Sequence, residues 1–251
     1  MIPDTPPLST SLHPAGGPVV VFDFDGTVCL GDGPVLAYAE AACDRMQAAD
    51  ARSVRSRFED WMAGRSPDHH ADAYVALAAL ARPILGAELS EAYLDSRRRL
   101  VHDDLGVRPP EGLLDLLDEL SEAGVRRALL TNSPAVGMDE TLVHLDVRGR
   151  FDQIVIGAKK PSRMREHLRA VLGDEPAHHL VSIGDNWRND VAPAVDLGAV
   201  GMLITGAWGD SALPPQALAV QRGHQLSELL PALRRFAADA ETFAPSRDLA
   251  R

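Results

Sequence analysis

The sequence predicts an α/β fold in which a parallel sheet is flanked by helices and an α-helical domain is inserted after the first strand. Strand and helix patterns alternate regularly from Pro110 onward, and such alternation is typical of a parallel sheet. About 100 residues separate the first strand from the next one, at residues 125–131, which is far more than a single crossover needs. The intervening residues have a helical period, so they predict the inserted domain.

The first strand lies in the stretch VVVFDFDGTV, at residues 19–28, and leads directly into Asp23 and Asp25. Residues two apart in an extended segment point to the same face, so the two carboxylates are expected to lie close together and repel each other. A positive group must therefore hold them in place. The insertion follows at residues 30–108, where apolar residues recur three and four apart in three segments, 34–49, 70–85 and 90–105.

The rest of the chain is expected to complete a core domain built from residues 18–29 and 109–236. Its predicted elements are helix 110–124, strand 125–131, helix 134–146, strand 151–157, helix 162–172, strand 179–184, helix 189–198, strand 200–205 and helix 226–240. The Pro-, Ser- and Thr-rich residues 1–17 predict a flexible leader, and residues 237–251 predict a loose tail.

The composition predicts a cytoplasmic globular protein. The 251 residues carry a formal net charge of −11, which argues against sequence-independent binding to nucleic acid or to an anionic membrane. No apolar run reaches the roughly 18 residues of a membrane span, and the first residues lack the pattern of a signal peptide. Cys29 and Cys43 match no zinc or redox spacing and are expected to be reduced.

Polar residues and a glycine stand where the predicted strands end. They are Asp23, Asp25 and Thr27, then Thr131 and Asn132, then Lys159 and Lys160, and finally Gly184, Asp185 and Asp190. Ligands of open parallel sheets bind beyond the carboxyl ends of the strands, so these groups are expected to meet at one edge. The carboxylates of Asp23 and Asp185 suit Mg²⁺, which prefers hard oxygen ligands and would offset the repulsion between the acids.

Four motifs in this order resemble those of the haloacid dehalogenase (HAD) superfamily, specifically its phosphatases with a helical cap inserted after the first motif. The motifs are FDFDGT at residues 22–27, the Thr of LLTNS at 131, the Lys-Pro pair of KKPS at 160–161 and GDNWRND at 184–190. The resemblance covers roughly residues 18–236. It implies a Rossmann-like core, a C1-type cap at residues 30–108 and Mg²⁺-dependent hydrolysis through an aspartyl-phosphate.

The resemblance also implies a role for each residue at the strand ends. Asp23 would be the nucleophile and Asp25 the general acid and base. Thr131 and Lys160 would complete the catalytic set. Phosphate would be bound by Thr131, Asn132, Lys160 and Gly26, and the metal ion by Asp23, the Asp25 backbone carbonyl and Asp185. Thr27 and Asp190 would support these residues.

The third motif departs from the family pattern because it contains two lysines where one is needed. They are the only lysines of the chain, among 25 basic residues. Lys160 is preferred because it directly precedes Pro161, as in the family, and Lys159 stays the alternative.

The sequence therefore predicts a phosphatase that acts on a small phosphorylated metabolite, with substrate selection by the inserted domain. A phosphomutase of the same superfamily is an alternative, since it uses the same acids and returns the phosphoryl group to a sugar. From a different class, a phospho-accepting or phosphate-binding regulatory module stays open. The sequence names neither the metabolite nor an oligomeric state.

Overall fold

The computed structural model describes residues 8–9, 16–70, 72–99, 106–206 and 213–243. Within them, seven strands form one sheet in which every neighbouring pair is parallel. The strands are β1 (Leu8–Ser9), β2 (Val19–Phe22), β3 (Arg126–Leu130), β4 (Gln153–Val155), β5 (Leu180–Gly184), β6 (Val200–Ile204) and β7 (Gln221–Gly223). The predicted α/β fold is confirmed.

The strand order places β2, the first strand that the sequence predicts, in the middle of the sheet. The order is β1-β4-β3-β2-β5-β6-β7, so β2 has β3 on one side and β5 on the other. All four residues of β2 are fully buried, as expected for a strand that is covered on both faces. The carboxyl ends of β2, β3 and β5 consequently lie side by side, and the residues that follow them are brought together.

Nine α-helices lie within the described residues. They are α1 (Gly33–Cys43), α2 (Ala48–Met62), α3 (Ala73–Leu85), α4 (Glu88–Arg99), α5 (Leu113–Glu122), α6 (Met138–His144), α7 (Met164–Leu172), α8 (Ala192–Val195) and α9 (Leu226–Ala238). None of the described helices combines the length and apolar character that crossing a bilayer requires. Cys29 and Cys43 are buried free thiols.

The described residues divide into two compact units. The core unit comprises residues up to Leu30, Arg108–Ala135 and residues from Leu142 onward, and the helical unit comprises Gly31–Val107 and Val136–Thr141. Residues 136–141 lie inside the predicted core range 109–236 but group with the helical unit.

In the core unit, α7 packs on one face of the sheet. Leu168 and Val171 of this helix are fully buried in a cluster with Val19 and Val21 of β2 and Leu130 of β3. The spacing of three residues between Leu168 and Val171 puts both on one helix face. This packing fixes α7, and with it the loop that precedes it, against the two central strands.

The helical unit has its own core of aromatic side chains. The ring centroids of Tyr38 and Tyr93 are 5.2 Å apart in an edge-to-face arrangement, and those of Tyr38 and Tyr74 are 6.2 Å apart. The guanidinium of Arg97, which is 3% exposed, lies 5.4 Å from the Tyr93 ring centroid. These contacts join α1, α3 and α4 in the manner of offset aromatic and cation–π pairs.

Several elements differ from the predictions for physical reasons. Helix α2 is not among the predicted elements, since only Val54 and Phe58 of its residues are buried and its apolar period is weak. The predicted helix 189–198 is instead a π-helical turn, Trp187–Val191, followed by the short α8. The predicted strands 125–131, 151–157, 179–184 and 200–205 are each shorter, as β3, β4, β5 and β6.

The predicted flexible leader, residues 1–17, and the predicted loose tail, residues 237–251, lie partly outside the described residues and stay predictions. Within residues 1–17, Leu8 and Ser9 form β1, which pairs with Ile154 and Val155 of β4. An edge strand of two residues is held by backbone hydrogen bonds and leaves no sequence period. Within residues 237–251, the ring of Phe243 packs edge-to-face on Phe236, with 5.6 Å between centroids.

Candidate active site

The turn that follows β2 arranges the first two candidate acids. The Phe24 carbonyl accepts hydrogen bonds from the N–H groups of Thr27, Val28 and Cys29, at 3.2, 2.9 and 2.8 Å. The chain therefore folds back within a few residues of the strand's end. Asp23 stays attached to the sheet, because its N–H donates to the Ile183 carbonyl of β5 at 3.0 Å.

Lys160 supplies the positive charge that the paired acids require. Its Nζ donates to Asp23 Oδ1 at 2.5 Å, to Asp190 Oδ1 at 2.7 Å and to the Leu130 carbonyl at 2.9 Å. The Lys160 side chain is only 3% exposed. Lys159 has a positive φ of 56° and is exposed, so of the two lysines Lys160 is the one in contact with the nucleophile candidate.

Asn132 fixes the backbone of Lys160. Its side-chain Oδ1 accepts from the Lys160 N–H at 2.7 Å, and its Nδ2 donates to the Lys160 carbonyl at 3.0 Å. The amide thus holds both polar groups of one backbone residue. The Asn132 side chain therefore positions the loop that carries the ammonium, and the phosphate contact of Asn132 stays a prediction.

Asp190 is the most buried acid of the site, with a side chain that is 2% exposed. Its Oδ1 accepts from Lys160, and its Oδ2 accepts from the Asn186 N–H at 3.1 Å. Its backbone carbonyl accepts from the Ser182 hydroxyl at 2.7 Å. The π-helical turn that carries Asp190 is thereby attached to β5, and the Asp190 carboxylate orients the Lys160 ammonium that also contacts Asp23.

The electrostatics of the site depend on how many acids share one ammonium. Burial, together with the nearby charge of Asp190, raises the pKa of Asp23 from 3.8 to about 7, against the lowering effect of Lys160. Burial lowers the pKa of Lys160, but Asp190 and Asp23 outweigh it and hold that pKa above its usual range. The Lys160 ammonium therefore stays charged at neutral pH, and a cation bound beside Asp23 would favour the ionised form of that acid.

Gly26 provides space for Asp185. It has a φ of +80°, and a Cβ at this position would lie 2.2 Å from Asp185 Oδ2. The Gly26 N–H donates to the Cys29 carbonyl at 2.9 Å, so the prediction that Gly26 binds phosphate is not supported by a directed N–H. The glycine instead allows the Asp185 carboxylate to approach the turn closely.

Three carboxylates form a group that fits a divalent cation. One oxygen from each of Asp23, Asp185 and Asp190 lies within 4.8 Å of the others. All are hard ligands of the kind that Mg²⁺ prefers, and Asp190 is already engaged by Lys160 and a backbone N–H. Asp23 and Asp185 are the two that the sequence analysis expects to hold the ion, and that assignment stays a prediction.

Ser133 is a site residue that the sequence analysis does not identify. It is 2% exposed, and its hydroxyl donates to Asp25 Oδ2 at 2.8 Å. Its N–H donates to Thr131 Oγ1 at 3.0 Å. The hydroxyl of Thr27, by contrast, lies 3.5 Å from Asp23 Oδ2, at the outer limit of a hydrogen bond. The only sequence signal for Ser133 is its place two residues after Thr131, in the turn that follows β3.

The solved structures that resemble this chain share its fold at low sequence identity. A predicted phosphoglycolate phosphatase from Haemophilus somnus has a TM-score of 0.61 and 15% identity, covering 86% of this chain and 97% of its own. CbbY from Rhodobacter sphaeroides, in complex with phosphate, has a TM-score of 0.57 and 18% identity over 85% of this chain and 96% of its own. The HAD-hydrolase YfnB from Bacillus subtilis, bound to magnesium, has a TM-score of 0.57 and 17% identity over 89% and 99%.

The sequence comparisons add the family to the fold. No curated protein matches the chain at a significant level. The family model of the haloacid dehalogenase-like hydrolases matches residues 18–198, a range that begins just before β2 and ends after α8. This range contains Asp23, Lys160 and Asp190, the three residues whose side chains meet. The chain therefore belongs to the haloacid dehalogenase-like hydrolases.

Proposed function

We propose that the protein is a Mg²⁺-dependent phosphatase that hydrolyses a small phosphorylated metabolite through an aspartyl-phosphate on Asp23. The observation that carries the proposal is the bridge that Lys160 makes between Asp23 and Asp190. It holds one Asp23 oxygen in a fixed direction at the end of β2. A second carboxylate, Asp25, is held separately by the Ser133 hydroxyl.

In the first step, an Asp23 carboxylate oxygen attacks the substrate phosphorus. A bond forms between that oxygen and phosphorus while the ester P–O bond breaks, and Asp25 gives its proton to the departing alkoxide oxygen. Asp23 must be ionised to attack and Asp25 must be protonated to donate. Lys160 favours the ionised form of Asp23 against the effect of burial, and a bound Mg²⁺ would favour that form further.

In the second step, water attacks the phosphorus of the aspartyl-phosphate. Asp25, now ionised, takes a proton from the water, and the bond between phosphorus and Asp23 breaks to release inorganic phosphate. The Ser133 hydroxyl suits both states of Asp25, because a hydroxyl can donate to a carboxylate and accept from a carboxylic acid. Both acids end in the protonation states with which they began.

The remaining charges of the phosphoryl group need partners. Mg²⁺ would be held by the Asp23 carboxylate, the Asp25 backbone carbonyl and Asp185, and when bound it neutralises charge on the transferring phosphoryl group. The Lys160 ammonium would add positive charge beside the phosphoryl group, and the Thr131 hydroxyl would bind one of its equatorial oxygens. We assign substrate selection to the insertion at residues 30–108, as a cap of the C1 type.

The proposal is tested by incubating the purified chain with a panel of phosphorylated metabolites and measuring released phosphate with and without Mg²⁺. We expect Mg²⁺-dependent release with at least one substrate and none with Asp23→Asn, since an amide is a poor nucleophile. Recovery of an isomerised sugar phosphate, with no inorganic phosphate, would indicate a phosphomutase instead. Phosphate release by Asp23→Asn within tenfold of the unmodified chain would refute the covalent mechanism.

A further inference from the structure

A cluster of two imidazoles and a carboxylate lies at the amino end of β5, the opposite end of that strand from Asp185. His178 and His179 close the 3₁₀ turn that directly precedes β5, and Glu241 lies in the segment after α9. The Nε2 atoms of His178 and His179 lie 3.4 and 3.0 Å from the same oxygen, Glu241 Oε2. One ligand atom from each of the three residues lies within 4.8 Å of the other two.

These separations fit a shared metal ion. An N–H···O hydrogen bond has a donor–acceptor distance of about 2.7–3.2 Å, which the 3.4 Å between His178 and Glu241 exceeds. A tetrahedral zinc ion with ligands at about 2.0–2.1 Å places neighbouring ligand atoms about 3.3 Å apart. Both separations to Glu241 Oε2 lie near that edge length, so an ion could be accommodated with small movements of the side chains.

Glu175 adds the second feature of a built site. Its Oε2 lies 2.9 Å from His179 Nδ1, and its Oε1 accepts from the Gly17 N–H at 3.0 Å. Histidines that bind metals through one ring nitrogen commonly donate from the other nitrogen to a carboxylate, which fixes the tautomer and the ring direction. In the tautomer that carries its proton on Nδ1, toward Glu175, the lone pair of His179 Nε2 lies on the side of Glu241.

We propose that His178, His179 and Glu241 bind a divalent transition-metal ion of the zinc class, with Glu175 positioning His179. Two imidazole nitrogens and one carboxylate form a three-ligand set that leaves the fourth tetrahedral position for water. Imidazole favours Zn²⁺ over Mg²⁺, whereas the oxygen-only set near Asp23 favours Mg²⁺. The chain thus has two cation sites of different chemistry at opposite ends of β5.

The ion would join two parts of the core unit that are far apart in sequence. Glu241 follows α9, and His178 and His179 precede β5, so one bound ion links the described end of the chain to the sheet. A ligand that binds only the folded state stabilises it, by about 2.7 kcal/mol when its concentration is a hundred times Kd. Zn²⁺ should therefore raise the Tm of the folded chain.

The test is equilibrium dialysis of the full chain against Zn²⁺ in excess Mg²⁺, with bound zinc measured by elemental analysis. Excess Mg²⁺ occupies the acidic site near Asp23, so the bound zinc that is measured is the zinc at the imidazole site. We expect one Zn²⁺ per chain and a Zn²⁺-dependent rise in Tm. His178→Ala, His179→Ala and Glu241→Gln should each remove this binding, while Glu175→Gln should weaken it by about 10- to 100-fold.

Two matched variants separate this site from others. His144→Ala removes an exposed histidine outside the cluster, and Asp185→Asn removes an acid of the other site; both should still bind one Zn²⁺. Replacing Zn²⁺ by Co²⁺ should give the visible absorption of a four-coordinate ion in the unmodified chain and lose it in Glu241→Gln. The proposal would be overturned if the unmodified chain and Glu241→Gln bound zinc equally, or if the unmodified chain bound no stoichiometric zinc. It would also be overturned if zinc binding were lost only in Asp185→Asn.

Discussion

The charge of Asp23 is the property on which the proposed chemistry depends at the scale of single residues. Asp23 is 11% exposed and lies with Asp190 beside a single ammonium, Lys160. Burial is the main reason why the pKa of Asp23 rises to about 7 without a metal, and the charge of Asp190, which shares the ammonium, raises it further. A bound Mg²⁺ would reverse this, because it stabilises the ionised form.

The raised pKa predicts a pH dependence of stability in the metal-free protein. Since the Asp23 pKa is about 7 when folded and near 3.8 when unfolded, the folded state retains a proton between these values. The contribution of Asp23 to stability is then present below pH 4 and is lost as the pH rises through 7. We expect unmodified protein, compared with Asp23→Asn, to lose unfolding free energy between pH 5 and pH 8 in chelator. Parallel pH profiles for the two proteins in urea denaturation would contradict the raised pKa.

The two lysines predict opposite effects of similar substitutions. Lys160→Ala leaves Asp23 and Asp190 without their shared ammonium, so we expect a large loss of kcat/KM and of phosphate affinity. Lys160→Arg should not restore either, because a guanidinium is larger and cannot place a point charge at the same position. Lys159→Ala is the matched control, since Lys159 is exposed, and should retain near-normal kcat/KM. A crippled Lys159→Ala beside a near-normal Lys160→Ala would reverse the assignment.

Ser133 is expected to position Asp25. Hydrogen bonds to charged groups contribute about 1.5–3 kcal/mol, so Ser133→Ala should lower kcat by about 10- to 100-fold with little change in KM. The loss should be larger for esters with poor leaving groups, which depend most on proton donation by Asp25. Ser133→Thr keeps the hydroxyl and should recover part of the rate, and Ser121→Ala on the exposed face of α5 is the control. An equal loss for good and poor leaving groups would show that Ser133 acts otherwise.

At the scale of elements, the turn after β2 decides where the acids lie. The Phe24 carbonyl accepts hydrogen bonds from three backbone N–H groups, and Gly26 leaves room for the Asp185 carboxylate to approach the same turn. The site is thus formed where a strand ends in a tight turn that faces the end of β5.

Gly26→Ala should therefore impair metal binding more than folding. A Cβ at Gly26 would lie 2.2 Å from Asp185 Oδ2, so the carboxylate must move. Gly124→Ala is the matched control, because its φ of +71° is similar and no atom lies within 4 Å of the added Cβ. Both variants should lose about 1–2 kcal/mol of unfolding free energy from the left-handed backbone. Only Gly26→Ala should require more Mg²⁺ for half-maximal activity, and equal Mg²⁺ dependence of the two would refute the contact.

Sequence patterns predict most reliably the elements that bury the most apolar surface. Strand β2 is an unbroken buried run, and the helices that flank the sheet carry clear apolar periods. Strands β1 and β7 contain two and three residues and are too short to show a period. The contact of Ser133 with Asp25 joins residues 108 apart in sequence, so only the assembled sheet shows it. Lys160, by contrast, could be chosen over Lys159 because Pro161 follows it.

At the scale of the whole molecule, the proposed function requires a chain of net charge −11 to bind a phosphate ester. The general field repels such a ligand, so binding has to come from local positive charge. Lys160 supplies a buried ammonium, and the Asp23 and Asp185 carboxylates fit a divalent cation beside it. Because the ammonium contacts Asp23 and the proposed cation would also do so, the phosphoryl group would be attracted to the residue that we assign as its acceptor.

The covalent role of Asp23 can be measured by rapid acid quenching of the protein with a phosphate-ester substrate and Mg²⁺, followed by mass spectrometry of its peptides. We expect the peptide that contains Asp23 to gain the mass of one phosphoryl group, and Asp25→Asn, which is slow to hydrolyse the intermediate, to accumulate more of it. Asp23→Asn should carry none. The covalent role of Asp23 would be contradicted if the substrate were turned over while the phosphoryl group appeared on another residue. It would also be contradicted if no residue of Asp25→Asn carried a phosphoryl group during turnover.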